Sequence, residues 1–334
     1  MNRRNFILSS TTGILSFHPL LHGAQATSLG QWLSPAAALP VNIQEIYPTV
    51  HNGRFYVAGG IATKLGVPYF SKACYSFNPT SNQWREEAEL PQAMHHATLV
   101  SNGERLFLFG GFHGGYTHIW RMQDKVYELI KEKWIEIDTL PTPLAEGVLT
   151  HAPDGAIHWV TGQTLRAKAN NKRSDHHEIH QHYRWSPEDM QWQELAPIPT
   201  ARNSATGAWV GEQLIVTGGR TAKGNLANTE IFDLASGKWR DAMPLPLPQA
   251  GSACVAVDDG IIVFGGEIFI PQAKVFKEVW RYSLSQDSWT ALPDMPTPRH
   301  GLGAGRFEND IYVIGGAIGP SGDGTSNLNE VFRL

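Results

Sequence analysis

Residues that can bind anions or transfer protons recur at two places in this sequence, three and four positions after a regularly spaced proline. The first place is occupied by Ile43, Met94, Glu146, Arg202, Gln249 and Arg299. The second place is occupied by Gln44, His95, Gly147, Asn203, Ala250 and His300. A guanidinium group recognises a carboxylate through paired hydrogen bonds, and carboxyl and imidazole groups transfer protons. These residue types therefore suit the binding of a small organic acid, with or without acid–base chemistry.

A third place lies two residues after a recurrent glycine, and it holds Ile61, Phe112, Thr164, Arg220, Glu267 and Ala317. The candidate catalytic residues from the three places are Glu267, Glu146, His95 and His300. The candidate ligand-binding residues are Arg202, Arg299, Arg220, Asn203 and Gln249. Together they suit a small polyhydroxylated acid, because amides and carboxylates hydrogen-bond hydroxyl groups. The alternative is that Arg202 and Arg299 pair with Glu146 or with backbone carbonyls.

A histidine-rich stretch, AKANNKRSDHHEIHQH, lengthens the third repeat. His180 and His182 could share one strand face and, with Asp175 or Glu178, bind a divalent metal. The alternative is a solvated polar loop, which we favour, so that no metal and no cofactor are expected. A second loop, GFHGGYTHIW with His113 and His118, is predicted to fold over the site as a lid.

The elements that must hold these residues are six copies of one pattern. A short apolar run ends in paired glycines, as in FYVAGG, with HWVTGQ at Gly162 as the one degraded copy. A proline precedes the first glycine by 19 residues, and these prolines are Pro40, Pro91, Pro143, Pro199, Pro246 and Pro296. An aromatic and a tryptophan follow in five copies, whereas the sixth ends after Phe332 and its tryptophan segment stands at Trp32. A period near 50 residues indicates radial repeats, and a split repeat indicates a closed ring.

Each repeat is predicted to form four antiparallel strands. Turn sequences such as Asn102-Gly103 and Asp259-Gly260 separate the first two strands, and the second is apolar at consecutive positions, as in a strand buried on both faces. We therefore predict one all-β domain over residues 27–334, closed where the strand around Trp32 joins the last repeat.

The paired glycines, the spaced aromatic and the tryptophan resemble kelch repeats. The resemblance implies a six-bladed β-propeller with its function on the loops at one mouth of the axial channel. In eukaryotic kelch domains, arginines at the places of Arg202 and Arg299 bind acidic ligands. Among exported bacterial kelch proteins, the chain is distantly similar to the N-acetylneuraminate epimerases (sialic acid mutarotases).

That second resemblance implies an isomerase in which Glu267, Glu146, His95 or His300 share the acid and base roles and Arg202 or Arg299 holds the carboxylate. The arginine that this family has six residues after its Gly-Glu element is Ala273 here. The competing hypothesis is a binding module for a glycan, a peptide or an envelope protein. A copper radical oxidase is set aside, because Cys74 lies in a predicted outer strand and Cys254 has no obvious tyrosine partner.

Residues 1–26 resemble a twin-arginine signal peptide, with Arg3-Arg4, a short apolar stretch and Ala24-Gln25-Ala26. They predict a periplasmic or secreted protein, the alternative being an uncleaved basic tail. No other segment reaches the length of a membrane span. A net charge of −4 without a basic stripe argues against nucleic acid. A monomer is expected.

Overall fold

The computed structural model describes residues 29–114 and 119–334. The predicted signal peptide at residues 1–26 and His118 of the predicted lid lie outside these ranges. Within them, regular structure is β-strand apart from one 3-10 turn, Arg173–Asp175. No helix among the described residues combines the length and apolar character needed to cross a bilayer. Cys74 and Cys254 are free thiols.

Six four-stranded antiparallel sheets, numbered in chain order, account for most of the strands. Sheet one contains Thr49–His51, Arg54–Ala58, Cys74–Asn78 and Gln83–Glu86. Sheet two contains Thr98–Ser101, Leu106–Phe109, Lys125–Ile130 and Lys133–Thr139. Sheet three contains Val148–His151, Ile157–Val160, His182–Ser186 and Gln191–Leu195.

Sheet four contains Thr206–Val210, Gln213–Thr217, Thr229–Asp233 and Lys238–Ala242. Sheet five contains Ala253–Val257, Gly260–Phe264, Val279–Ser283 and Ser288–Leu292. Sheet six contains Gly303–Phe307, Asp310–Ile314, Asn329–Arg333 and, as its fourth strand, Gln31–Trp32 from the other end of the chain.

Short strands in the loops form smaller sheets beside these six. The three-stranded ones comprise Asn42–Gln44, Ile61–Lys64 and Val67–Phe70, and Met94–His95, Phe112–His113 and Arg121–Met122. The two-stranded ones comprise Gln163–Leu165 with His176–Glu178, Arg220–Thr221 with Gly224–Asn225, and Glu267–Ile268 with Lys274–Val275.

The sheets pack through apolar faces, which explains the consecutive apolar residues. The second strand of sheet five, Gly260–Phe264, is buried along its whole length. The first strands of successive sheets contact one another, and that of sheet six contacts that of sheet one. The core therefore lies between sheets, and the loops at the strand ends are left to form a site.

The tryptophan column links neighbouring sheets. Four of the indole N–H groups donate to a backbone carbonyl of the preceding repeat, in the pairs Trp84 with Ala37, Trp134 with Ala88, Trp239 with Ala196 and Trp289 with Met243, whereas Trp192 donates to the Asp138 carboxylate at 3.2 Å. Trp32 does the same for sheet six, because it lies opposite Phe332 and donates to the carbonyl of Pro293 at 3.0 Å. The indoles thus pack between sheets and also hydrogen-bond to the neighbouring repeat.

The third repeat corrects the predicted register. The N–H of Gly162 donates to the carbonyl of Arg202, as the second glycine of other repeats does, for example Gly219 to Gln249. The first-glycine place is therefore held by Thr161, which has a left-handed φ of 56°. The hydrogen bond from Leu140 N–H to Asp124 matches that from Leu90 to Lys72. The proline of this repeat is accordingly Pro141 and not Pro143.

Candidate functional site

The register correction brings Glu146 into a new column, five residues after the proline of each repeat. Its members are Glu45, His96, Glu146, Ser204, Gly251 and Gly301, and all six have φ between 53° and 63°. Their N–H groups donate to the carbonyl of the previous member in the pairs His96 to Glu45, Ser204 to Glu146, Gly251 to Ser204, Gly301 to Gly251 and Glu45 to Gly301. This left-handed ring fixes one side-chain position per repeat at one end of the sheets.

Ionisable groups from all six repeats meet at this ring, with carboxyl groups alternating with basic side chains. Glu146 Oε1 lies 3.7 Å from Arg173 Nη2 and 3.3 Å from His96 Nε2. Glu45 continues the series, with its two carboxylate oxygens 3.0 Å from His96 Nε2 and 3.9 Å from His300 Nδ1. The set, called the charge belt below, comprises Arg173, Glu146, His96, Glu45, His300, Glu267 and Arg220.

The other end of the belt is tied by more hydrogen bonds. Glu267 lies 3.5 Å from His300 Nδ1, accepts from Arg220 Nη1 at 2.7 Å, and accepts from the backbone N–H of Ser321 at 2.9 Å. Arg220 Nε also donates to Asn203 Oδ1 at 3.3 Å. Glu267 therefore has two hydrogen-bond donors, and Glu146 accepts from Ser204 Oγ at 3.1 Å beside its ion pairs, which compensates part of the cost of burying these carboxylates.

The electrostatics of the belt favour ionised carboxylates. Burial acts to raise the pKa of Glu45, but the charge and hydrogen bond of His96, with His300 and Arg220, lower that pKa well below its usual range. Burial likewise opposes ionisation of Glu146, and Arg173 and His96 nevertheless lower its pKa. The pKa of Arg220 is raised, because Glu146 and Glu267 outweigh its desolvation. Glu45, Glu146 and Arg220 are thus preformed charges at this end of the sheets.

Five predicted site residues come together here, namely Glu267, Glu146, His300, Arg220 and Asn203. His95 lies beside them but is enclosed by the rings of Phe70, Phe112 and Trp120. Burial, and next the charge of His96, lower its pKa to about 3. A neutral imidazole with both nitrogens hydrogen-bonded supports His96 and does not meet a ligand directly.

Arg202 and Arg299 do not line the mouth, and their predicted contact with a ligand is corrected. Both side chains have no exposed surface, and they pair with Glu230 and Glu330 of their own third strands. Each guanidinium also donates to backbone carbonyls, for example Arg299 to Gly315 at 2.6 Å. They hold the proline segment on its own sheet, which agrees with the alternative of pairing with backbone carbonyls, but their carboxylate partners are Glu230 and Glu330 and not Glu146.

Gln249 is enclosed in the same column and donates to the carbonyl of Gly265 at 2.6 Å. The weak metal candidates His180 and His182 do not share a strand face. His180 is exposed between two strands, whereas His182 is buried 2.8 Å from His158 Nδ1. Within the described ranges, no group of three His, Cys, Asp or Glu side chains could hold a metal ion.

Sequence reasoning missed Glu45, His96 and Arg173. The first two stand one position beyond the columns that were compared, and the shifted register of repeat three hid their relation to Glu146. Arg173 belongs to the long polar loop, which Asn170 fastens to Met122 by accepting from its N–H and donating to its carbonyl. An arginine in that loop was visible in the sequence, but its reach to the belt was not.

A cavity of about 440 Å³ opens beside the belt and is called the arginine cavity below. Its charged lining consists of Arg166, Arg173, Arg220 and Glu178, and Gln163, Asn203 and Phe269 are among its other walls. The Arg220 guanidinium lies over the Phe269 ring at 5.4 Å. A second, axial cavity of about 110 Å³ runs along the first strands of the sheets and includes Tyr47 and Thr98.

Comparisons with known proteins agree with this architecture. Residues 169–316 match a family model described as the KLHDC2/KLHL20/DRC7 Kelch-repeats domain. Kelch-like protein terF of Aspergillus terreus is 26% identical over 284 residues, which cover 82% of this chain and 61% of terF. Beta-scruin of Limulus polyphemus is 24% identical over 223 residues, covering 64% of this chain and 24% of that protein. The chain spans less than two thirds of the length of these relatives.

A solved structure, that of YjhT, superposes with a TM-score of 0.75 and 15% identity, covering 89% of this chain and 96% of YjhT. This similarity concerns the fold. Residues 169–316 are thus similar to a kelch-repeat domain, and the chain has an all-β propeller fold, as the sequence predicted.

Proposed function

We propose that this chain is a six-bladed kelch propeller that binds a small acidic, polyhydroxylated ligand at the mouth of its axial channel. The six four-stranded sheets are its blades, and the pairing of Gln31–Trp32 with the last strand closes the ring. The observation that carries the binding proposal is the arginine cavity, where three guanidinium groups and one carboxylate surround about 440 Å³. That volume is in the range of small-molecule sites.

The arginines are held so that part of each guanidinium stays available. Glu267 and Asn203 engage Nη1 and Nε of Arg220, and among the described residues no acceptor bonds its Nη2. Arg173 is 44% exposed and its link to Glu146 is long, at 3.7 Å. Guanidinium groups fixed in this way favour planar recognition of a carboxylate.

The remaining polar walls suit hydroxyl groups. Asn203 Nδ2 donates to Glu178 Oε1 at 3.2 Å, which leaves the second carboxylate oxygen to accept from a ligand. Phe269 supplies an apolar wall, as carbohydrate sites often have. The ligand is accordingly a free sugar acid, the acidic end of a glycan, or a protein of the cell envelope that presents such a group.

Export belongs to the same proposal. The paired arginines and small-residue cleavage pattern of residues 1–26 support a periplasmic or secreted protein. Immunoblotting of cell fractions tests it, with the double variant Arg3→Lys/Arg4→Lys as the matched control, which keeps the charge of the leader and removes its arginine pair. The wild-type protein is expected outside the cytoplasm and the double variant within it. Wild-type protein that stays in the cytoplasm contradicts export.

Calorimetric titration tests the ligand class. N-acetylneuraminate and galacturonate are expected to bind, and galactose, which lacks the carboxylate, is expected to bind at least about tenfold more weakly. Arg173→Met is expected to weaken binding of the acids by about tenfold or more, through loss of one charge-assisted contact. Lys168→Gln, an exposed cation of the same loop, is the control and should leave affinity unchanged. Equal affinity for galactose and galacturonate would overturn the proposal.

Mutarotation of a sugar acid is the second candidate, and the paired glutamates and histidines of the belt favour it. Opening a sugar ring at its anomeric centre needs a base for the anomeric hydroxyl and an acid for the ring oxygen. Glu267 with His300, and Glu45 with His96, are such pairs beside the cavity. Proton NMR of a freshly dissolved single anomer is the test. If the wild-type protein equilibrates the anomers no faster than the Glu267→Gln variant does, for every acid that binds, mutarotase activity is excluded.

A further inference from the structure

The His95–His96 pair has a hydrogen-bond direction that the neighbouring groups determine. His95 Nε2 lies 2.6 Å from the carbonyl oxygen of Ile119, and a carbonyl only accepts, so this nitrogen carries a hydrogen. His95 is neutral, because burial and His96 lower its pKa to about 3. A neutral imidazole carries one hydrogen, and the Nδ1 atom of His95 is therefore an acceptor.

His96 lies between acceptors on both sides. Its Nδ1 is 2.7 Å from the accepting Nδ1 of His95, so it must donate there. Its Nε2 is 3.0 Å from Glu45 Oε2 and 3.3 Å from Glu146 Oε1. Glu146 also faces the Arg173 guanidinium at 3.7 Å, and the charge of Arg220 acts on both carboxyl groups, whose pKa values are lowered, so their oxygens accept. Hydrogen placement that satisfies all of these contacts gives His96 two N–H groups.

We propose that His96 donates from both ring nitrogens, as an imidazolium of the mouth, and that its charge leaves Arg173 available to the acidic ligand. The second part rests on the proposed function. Glu146 faces both cations, and His96 is the nearer at 3.3 Å against 3.7 Å for Arg173. Were His96 neutral, Glu146 would depend on Arg173 for its charge partner, and a ligand carboxylate would have to compete with Glu146 for that guanidinium.

The other groups around His96 are consistent with a cation there. The Tyr47 ring lies 6.2 Å from that of His96, and burial, with Glu45 and Glu146, raises the pKa of Tyr47 so that it stays neutral. Phe112 and Trp120 contribute ring contacts at 5.6 and 6.0 Å. Arg220 is the remaining cation that acts on Glu146, and Glu267 engages it directly.

Imidazole nitrogen NMR decides the first part on the unliganded wild-type protein. The His96 signals, assigned by their loss in His96→Gln, are expected to be those of a doubly protonated ring at neutral pH. In Glu45→Gln the amide can donate to Nε2, and the same signals are expected to change to a neutral ring. Glu212→Gln, an exposed residue of an outer turn, is the control. A neutral His96 in the wild-type protein overturns the proposal. Glu45→Gln also assigns the signals if His96→Gln does not fold.

Titration with N-acetylneuraminate decides the second part. His96→Gln is expected to weaken binding by about tenfold, because Glu146 then retains Arg173. The double variant His96→Gln/Glu146→Gln removes the competitor and is expected to recover most of the loss. Wild-type affinity in His96→Gln overturns the coupling. Absence of binding by the wild-type protein overturns the proposed function, while the NMR result still stands for the charge of His96.

Discussion

Two sets of arginine–glutamate pairs in this protein have the same chemistry and different surroundings. Arg202–Glu230 and Arg299–Glu330 lie within single repeats, are fully enclosed, and are completed by carbonyl groups of the same sheet. Arg220–Glu267 joins different repeats and borders a cavity, as Arg173 does. A charge pair inside a repeat holds that repeat together, whereas a pair between repeats at a cavity can exchange its partner for a ligand.

Breaking an enclosed pair should have the largest effect on stability. Arg299→Met leaves the Glu330 carboxylate buried without its partner, which is expected to cost about 3–5 kcal/mol in the free energy of unfolding. Denaturant titration measures it. Arg333→Met, which removes an exposed pair with Asp310, is the control and should cost less than about 1 kcal/mol. Equal losses in the two variants would mean that the enclosed pair has no special role.

Removing the uncharged contact that Trp32 makes between repeats should have the next largest effect on stability. Trp32 packs on Phe332 and Phe264 and donates to the carbonyl of Pro293. Trp32→Ala should cost about 2–4 kcal/mol, since it removes a large partly buried aromatic and a hydrogen bond. The melting temperature of this variant is compared with that of Trp289→Ala, the same position in sheet five. A melting temperature equal to that of the wild-type protein would contradict closure of the ring by Trp32.

Buried imidazoles without a carboxylate partner within hydrogen-bond distance should make the protein acid-sensitive. Burial lowers the pKa of His158 from 6.5 to about 4. Burial, together with the charge of His158, lowers the pKa of His182 from 6.5 to about 3. Below about pH 6.5 the unfolded chain binds protons that the folded chain does not, so stability falls as pH falls through this window. His182→Leu should reduce the loss between about pH 7 and pH 5 by roughly 1–2 kcal/mol. The same pH profile in His182→Leu and the wild-type protein would exclude this source. The exposed His180→Gln is the control.

The smallest effect on stability is expected at the pair that faces the cavity. Arg173→Met should change the free energy of unfolding by less than about 1 kcal/mol, because the Arg173 side chain is half exposed and the buried Glu146 keeps His96 at 3.3 Å as a partner. Its ligand affinity should still fall. A variant that loses stability and binding in parallel would place Arg173 with the structural arginines.

The sequence predicted the all-β kelch fold because its glycine, aromatic and tryptophan columns are repeated wherever the backbone or the core requires them. Repeat three hid its register, because Thr161 takes the left-handed place of a glycine and satisfies its hydroxyl with the carbonyl of Ile179. Glu146 was therefore assigned to the wrong column, and the structure places it in the charge belt.

The role of Arg202 and Arg299 had a signal in the sequence that was not used. Glu230 and Glu330 each stand two residues before the column aromatic, in the same two repeats that carry these arginines. No such pattern indicates Arg173, whose position depends on the path of a long loop and on the contact of its guanidinium with the Trp120 ring at 5.1 Å. Loop geometry of this kind is set by tertiary contacts and not by local propensity.

The left-handed ring makes the mouth modular. Because backbone hydrogen bonds and φ fix its position in every repeat, the side chain there can change without moving the scaffold. Gly251 has open space around the place of a Cβ atom, with the nearest atom at 3.7 Å, whereas at Gly301 a Cβ atom would meet the Glu45 carboxyl at 2.9 Å. Asparagine tolerates this backbone conformation better than most residues. An asparagine introduced at Gly251 could therefore add a further polar group to the charge belt from repeat five.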